Sequence, residues 1–171
     1  MTRSGILLVF YFFFYLLIQV MLLKNLVLFN TAFCFLYVAF ILFLPIETNV
    51  VALMVIGFFT GFLIDIFYDS LGVHASALVT ISYLRNYWLG VITPQGGYDA
   101  NSTPTLEANG AQWFLVYTIP MILLHHIILF LVEAGGFHGF GYTSLKILFS
   151  VLFTMIVLVI LQMLTTERRR I

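Results

Sequence analysis

The chain has very little charge. Only 8% of its 171 residues are charged, seven basic and seven acidic, whereas 63% are hydrophobic. Soluble domains carry about 25% charged residues, so this composition predicts an integral membrane protein instead. Neither sign dominates, and the sequence lacks the basic block that would follow a nucleic-acid backbone. We therefore expect no nucleic-acid partner.

Cysteine and recognisable catalytic patterns are also scarce. Cys34 is the only cysteine, so an internal disulfide is excluded, and its apolar surroundings are typical of a packing thiol. The sequence has no HExxH-type zinc spacing, and its serines near histidine are better explained as caps or packing residues than as nucleophiles. We expect no enzymatic activity, no catalytic residue, no cofactor and no metal.

Long hydrophobic runs are abundant. Six stretches are long enough to cross about 30 Å of hydrocarbon, which predicts six transmembrane helices. They lie near residues 5–23, 27–45, 49–67, 72–92, 112–132 and 144–164. No loop between them could hold a folded soluble domain. The sequence therefore predicts an all-α, polytopic membrane protein in which residues 1–171 form a single transmembrane domain.

The distribution of Lys and Arg predicts the orientation. With six spans both termini share one side, which carries four basic residues: Arg3, Arg168, Arg169 and Arg170. The opposite side has only Lys24 and Lys146. The positive-inside rule then places both termini and the loop 93–111 in the cytoplasm, with the tail arginines as topology anchors against anionic lipid. Arg85, late in the fourth span, is expected to snorkel to the same surface as a further anchor.

Small residues suggest a close helix contact. Gly57 and Gly61 are four residues apart, on one face of the third span, and Gly72 and Ser76 have the same spacing at the start of the fourth. Small residues let membrane helices approach closely. We predict that these four residues form a groove in which the two spans pack as a hairpin, or in which a partner docks.

Six ionisable residues are predicted to meet near the outer face as an intramembrane polar network. They lie in three predicted spans or directly after them: Asp65, Asp69, His74, His125, His126 and Glu133. Ionisable groups inside a membrane are costly and mark structural or functional sites. We favour a hydrogen-bonded network that fixes helix register, and metal binding, proton relay and ligand binding are the alternatives. Such a network predicts that Asp65→Asn is tolerated, whereas Asp65→Leu is harmful.

These motifs resemble those of a known family. The glycine-rich third span ending in Asp65, followed by the turn Leu71-Gly-Val-His74, is similar to the rod shape-determining protein MreD family of bacteria. Further matches are Pro45-Ile-Glu47, Tyr83-Leu-Arg85, Gly96-Gly-Tyr98, His125-His126 and the basic tail. Ser70 departs from the pattern, since many members have proline there, and this indicates a looser turn.

The resemblance implies a non-enzymatic subunit of the cell-elongation (rod) complex in the bacterial inner membrane, which scaffolds peptidoglycan synthesis and controls cell shape. MreC is then the expected direct partner, and MreB, RodA and a penicillin-binding transpeptidase belong to the wider complex. The family is similar in fold to the substrate-binding subunits of energy-coupling-factor transporters, so a small-molecule-binding subunit of a vitamin-type transporter is the alternative. Residues 5–23 contain no alanine and therefore lack the Ala-xxx-Ala docking motif usual in those subunits, which favours the scaffold.

Overall fold

The chain is mostly helical within residues 3–99, 102–137 and 139–165, which the computed structural model describes. Its long helices are α1 (Arg3–Ile18, continued by a π-helical turn at Gln19–Leu23), α3 (Val50–Tyr68), α4 (Val73–Val91), α6 (Ala111–Glu133) and α7 (Phe140–Thr165). The shorter described elements are α2 (Val38–Leu42), α5 (Leu106–Asn109) and the two-residue strands β1 (Val27–Leu28) and β2 (Ala32–Phe33).

Within the described residues, four helices are long and apolar enough to cross a membrane. They are Gly5–Leu23, Val50–Tyr68, Ala111–Glu133 and Phe140–Thr165, which match the first, third, fifth and sixth predicted spans. The membrane-embedded character of the chain is thereby confirmed. The predicted fourth span is also a helix, α4, of 19 residues, the same length as α3. It is less apolar than the other four because it carries groups such as His74, Ser82 and Arg85.

The predicted second transmembrane helix, near 27–45, is wrong. This segment begins as the antiparallel hairpin β1–β2, in which Val27 pairs with Phe33, and it becomes helical only over the five residues of α2. Residues 34–42 are buried throughout. The segment is apolar because it lies in the core of the protein, and hydropathy cannot distinguish a protein core from lipid.

Residues 32–45, here the central segment, run from one end of the helix bundle to the other. They start at the end of the bundle that carries the β1–β2 hairpin, here the hairpin end. At this end Lys24 Nζ donates to the carbonyl oxygen of Phe67. They finish at the opposite end, here the loop end, which carries the connection between α4 and α6. There Ile46 N donates to Ser102 O of that connection at 3.0 Å. Helix α3 packs against α4, α4 against α6, and α6 against α7, while α1 packs against α2.

Local sequence explains the boundaries of the α3–α4 pair. The side chain of Asn49 accepts hydrogen bonds from Val51 N and Ala52 N and so caps the start of α3. Asp69 ends α3 in the left-handed region with φ +51°, and Gly72 precedes α4 with φ +79°, a conformation that glycine adopts without steric cost. The two helices therefore reverse direction within a few residues.

Candidate functional site

Helices α3 and α4 touch at the backbone. A Cβ atom on Gly61 would lie 2.6 Å from Ala75 N and 2.8 Å from the carbonyl carbon of His74, and one on Gly57 would lie 2.5 Å from Ser82 Oγ. A real Cβ atom would not be accommodated at these distances, so α4 can approach this closely only because positions 57 and 61 carry no side chain. Both glycines therefore pack against α4 of the same chain.

Gly72 and Ser76 lie outside this contact, so the prediction that they help to pack the third span against the fourth is wrong. Gly72 is exposed, with no atom within 4 Å of where its Cβ would lie. Ser76 is exposed and donates to Val73 O at 2.8 Å on its own helix. The four-residue spacing identified a face of α4, but the face that meets α3 contains Ala75 and Ser82.

Asp65 caps α4 from the neighbouring helix. Its carboxylate, 3% exposed, accepts hydrogen bonds from the backbone N–H groups of His74 at 3.0 Å and Ala75 at 2.9 Å. It also accepts one from the Ser70 hydroxyl at 2.5 Å. The first N–H groups of a helix have no intrahelical acceptor, and a negative charge there complements the helix dipole. Asp65 thus fixes the end of α3 to the beginning of α4.

Tyr37, which sequence reasoning missed, links two of the predicted histidines. Its hydroxyl lies 2.7 Å from His74 Nδ1 and 3.0 Å from His125 Nε2, and all three side chains are buried. A hydroxyl can donate to one ring nitrogen and accept from another, so it can serve both rings at once. Within the described part of the chain, His125 Nδ1 has no hydrogen-bond partner, which leaves Tyr37 as the polar anchor of that ring.

His126 faces away from this pair, towards α7. Its Nδ1 lies 2.8 Å from Ile122 O, one turn earlier on α6, and its Nε2 lies 3.2 Å from Thr154 Oγ1. The adjacent histidines of α6 therefore serve different neighbours: His125 holds the central segment through Tyr37, and His126 holds α7.

Asp69 and Glu133 do not join the polar network, which corrects their predicted place in it. Asp69 is exposed at the end of α3. Glu133 accepts from Lys146 Nζ at 3.1 Å in an exposed ion pair. His126 and Glu133 do share a helical stripe, but seven residues separate them by about 10 Å along the axis. The predicted cluster therefore reduces to Asp65 and the three histidines.

The backbone of the central segment is satisfied by side chains of α7. Ser150 Oγ accepts a hydrogen bond from Phe33 N at 2.9 Å, and Thr154 Oγ1 accepts one from Phe35 N at 3.1 Å. Non-helical backbone at membrane depth is tolerated only where protein groups satisfy it. Hydroxyl groups of α7 therefore accept the hydrogen bonds that carbonyl oxygens of the preceding turn would accept in a helix.

Gln19 supports the same segment from the π-helical turn. It donates to Cys34 O at 3.0 Å and to the Tyr68 hydroxyl at 2.7 Å, while its Oε1 accepts from Tyr37 N at 3.4 Å. Its own carbonyl oxygen accepts from Lys24 N, five residues later, at 2.8 Å, which is the hydrogen bond of a π-helical turn. Such turns are frequent at functional sites. Here the turn lies where α1 contacts both α3 and the central segment.

Arg85 is fully buried, so its predicted role as a snorkelling anchor is wrong. Its Nε donates to the Tyr117 hydroxyl at 2.9 Å, and its Nη2 donates to the carbonyl oxygens of Leu42 and Leu44. The Tyr117 hydroxyl in turn donates to Leu42 O at 2.9 Å. Among the residues that the structure describes, no carboxylate lies within ion-pair distance of Arg85. Its positive charge is instead met by the carbonyl oxygens of Leu42, at the end of α2, and of Leu44, two residues beyond it.

The predicted tail anchors Arg168, Arg169 and Arg170 lie outside the described residues.

A separate cavity of ≈ 240 Å³ lies at the loop end, away from the histidines. Aromatic side chains of α1 and α2 line one part of it, including Tyr11, Tyr15 and Phe40. The polar side chains of Thr105 and Glu107 line another part. The cavity therefore has both an apolar and a polar wall.

The polar core combines residues that the sequence had marked with others that it had not. Three of the unmarked residues, Gln19, Ser150 and Thr154, lie in apolar helical segments. A polar side chain in such a segment is the sequence feature that could have identified them. Tyr37 gave no such signal, because it lies among many aromatic residues.

Comparison of the chain with protein-family models, with curated proteins and with solved structures finds no match.

Proposed function

We propose that this chain is a non-enzymatic membrane subunit of the bacterial rod complex, an MreD-type scaffold for peptidoglycan synthesis. The observation that carries the proposal is that the residues of the family-like motif act together. Gly61 admits α4 against α3, and Asp65 caps α4 at the turn that contains Leu71 and His74. A motif whose residues join two helices suits a protein that presents a fixed surface.

The proposed scaffold crosses the inner membrane six times, with the central segment as its second crossing and both termini in the cytoplasm. Support comes from the path of the central segment between the hairpin and loop ends, and from the Lys and Arg distribution. A fold similar to the substrate-binding subunits of energy-coupling-factor transporters belongs to the same proposal. MreC is the proposed direct partner, with MreB, RodA and a penicillin-binding transpeptidase in the wider complex.

Affinity purification in mild detergent, with mass spectrometry of the co-purifying proteins, tests this function. We expect MreC and RodA to be recovered with the wild-type chain. Cells depleted of the chain should become round, and Gly61→Leu should fail to restore rod shape because it separates α3 from α4. Gly141→Leu is the matched control, since its Cβ would meet open space. Rod-shaped depleted cells, with no cell-wall protein recovered, would refute the scaffold.

The loop-end cavity is the observation that favours the alternative, a small-molecule-binding transport subunit. At ≈ 240 Å³ it is smaller than the roughly 300–1,000 Å³ of most ligand sites. Thermal unfolding with a panel of water-soluble vitamins distinguishes the two functions. A binding subunit predicts stabilisation by one vitamin that Glu107→Gln abolishes, whereas the scaffold predicts no stabilisation by any of them.

A further inference from the structure

The loop-end cavity lies between two membrane-spanning helices that make little contact with each other. Leu8, Tyr11 and Tyr15 of α1 line one side of it, and Gln162 and Thr165 of α7 line another. Helix α1 packs mainly against α2, and within the described residues its contacts with α7 are few or absent. Both helices are long and apolar enough to cross the membrane. We therefore expect the cavity to be reached from the lipid side, between α1 and α7.

Tyr15 brings an unpaired hydroxyl to this cavity. Its side chain is only 7% exposed, yet within the described residues the hydroxyl makes no hydrogen bond. The fully enclosed unpaired atoms of these residues are Ser82 Oγ, Ser102 Oγ and His125 Nδ1, so the Tyr15 hydroxyl reaches open space. The cavity is the space that Tyr15 lines. Because a largely buried hydroxyl is costly without a partner, it indicates a polar group of a ligand there.

The polar wall of the cavity is acidic. Glu107 is the only charged side chain among the described residues that line it. In the same part of the chain Glu107 has no ion-pair partner, since the one ion pair joins Lys146 to Glu133. Pockets that select anionic lipid head groups are basic. The group that complements this cavity is therefore a cation.

The apolar wall indicates which kind of cation. It carries four aromatic rings, those of Tyr11, Tyr15, Phe40 and Phe43. Aromatic rings attract ammonium groups within about 6 Å, most strongly where water is excluded. A metal ion such as Ca²⁺ needs six or more oxygen ligands, and the described residues contain no group of His, Cys, Asp or Glu side chains that could hold a metal ion. A carboxylate, an unpaired hydroxyl and aromatic rings together fit an alkylammonium group.

The volume of the cavity limits how much of a ligand can enter. At ≈ 240 Å³ it is smaller than the roughly 300–1,000 Å³ of sites for whole drug-sized ligands. It can therefore hold the head group of a lipid but not its acyl chains. Leu8 lines the cavity and is itself exposed, so hydrocarbon continues from the cavity to the outer surface of α1. This continuity favours a lipid over a water-soluble amine.

We propose that the loop-end cavity binds the primary ammonium group of a membrane lipid whose acyl chains stay in the bilayer. The ammonium group donates hydrogen bonds to the Glu107 carboxylate and the Tyr15 hydroxyl, and it lies against the aromatic wall. Phosphatidylethanolamine has this chemistry. The inference goes beyond the scaffold function, because it assigns a ligand to residues that lie outside the α3–α4 contact.

Lipid binding to the delipidated full chain in detergent tests the site. Dissociation constants and unfolding midpoints are measured with phosphatidylethanolamine, phosphatidylglycerol and phosphatidylcholine of identical acyl chains. We expect phosphatidylethanolamine to raise the midpoint. It should bind at least about tenfold more tightly than phosphatidylglycerol, which has no cation, or phosphatidylcholine, whose ammonium has no N–H group. Equal binding of the three lipids would overturn the proposal. Equally tight binding of the water-soluble O-phosphoethanolamine would overturn the assignment to a lipid.

Two variants distinguish contact with the ligand from a structural role. Glu107→Gln should weaken phosphatidylethanolamine binding about tenfold, and Tyr15→Phe about fivefold. Neither should lower the unfolding midpoint without lipid, because neither group has a hydrogen-bond or ion-pair partner in the described residues. Glu47→Gln and Tyr83→Phe are the matched controls, an exposed carboxylate and an exposed hydroxyl outside the cavity, and should leave binding unchanged. Unchanged binding in Glu107→Gln and Tyr15→Phe, or lower midpoints without lipid, would overturn the roles assigned to Glu107 and Tyr15.

The lipid site and the scaffold fail separately. Recovery of MreC and RodA, together with no preference for phosphatidylethanolamine, refutes the lipid site and leaves the scaffold. Phosphatidylethanolamine binding that depends on Glu107, in a chain that recovers no cell-wall protein and whose depletion leaves cells rod-shaped, supports the lipid site and refutes the scaffold. A vitamin that displaces phosphatidylethanolamine would assign the cavity to a soluble ligand and overturn the lipid site.

Discussion

Asp65 and Arg85 are both buried, and each binds backbone groups rather than an opposite charge. Asp65 accepts from the first N–H groups of α4, and Arg85 donates to carbonyl oxygens at the end of α2. Helix termini carry partial charges of about half a unit, so they can serve as counterions. Asp65 and Arg85 thus each mark a helix end that is buried in the bundle.

These contacts revise the expected effect of Asp65→Asn. Asparagine keeps one acceptor oxygen, but its amide NH₂ would face either His74 N or Ala75 N, a donor against a donor. We expect Asp65→Asn to lower the free energy of unfolding by about 1–3 kcal/mol, the cost of one unsatisfied buried donor. Asp65→Leu, which removes both acceptors, should cost more.

Thermal unfolding in detergent checks this order, with Asp69→Asn as the control because Asp69 is exposed. Equal stability of Asp65→Asn and the wild type would show that the second backbone N–H group finds another acceptor.

At this scale the sequence marked Asp65 and the three histidines but not their partners, and it wrongly added Asp69 and Glu133. Polarity in an apolar helix identified Asp65 and the histidines, because such groups are too costly to occur without a role. The partners of Asp65 and Arg85 are largely backbone atoms, which every residue has, so no sequence pattern indicates them. Arg85 was misplaced for this reason.

The helices themselves were predictable where they face lipid, and the central segment was not. Spans that cross the membrane at the outside of the bundle need long apolar runs, and four of these runs are apolar helices as expected. The central segment is equally apolar, but it touches protein on all sides. Its backbone partners, Gln19, Ser150 and Thr154, are distant in sequence, and a single sequence does not link them to it.

The α3–α4 contact predicts a sharp difference between two glycines. Gly61→Ala should lower the free energy of unfolding by about 1–3 kcal/mol, because its Cβ would overlap backbone atoms of α4 that cannot rotate away. Gly141→Ala on α7 should leave stability unchanged or raise it, since its Cβ meets open space and alanine favours helix. Unfolding midpoints of both variants, measured in detergent, test this difference. Equal midpoints would contradict the close contact between α3 and α4.

For the molecule as a whole, the two ends of the bundle predict opposite accessibility. Phe29 and Leu71 are fully exposed at the hairpin end, and Asp99 is exposed beyond α4 at the loop end. In the proposed orientation, a membrane-impermeant maleimide added outside the cytoplasmic membrane should label Phe29→Cys and Leu71→Cys but not Asp99→Cys. The wild type is an unlabelled control because Cys34 is buried. Labelling of Asp99→Cys from outside would reverse the orientation.

The support of the central segment by α7 sets an order of events during synthesis. Phe33 and Phe35 receive their acceptors from residues 117 and 119 positions later in the chain. At roughly 5–20 residues per second, a ribosome needs about 6–24 seconds to cover that interval.

Until α7 arrives, the central segment has backbone N–H groups that lipid cannot satisfy, so it has to wait in contact with water or with another protein. We expect a chain that stops after residue 139 to leave Cys34 open to a water-soluble maleimide, while the full chain protects it. Equal protection in both chains would contradict this order. The central segment, which is synthesised early, would thus be among the last parts of the bundle to be completed, so a chain that ends early would be defective near its beginning.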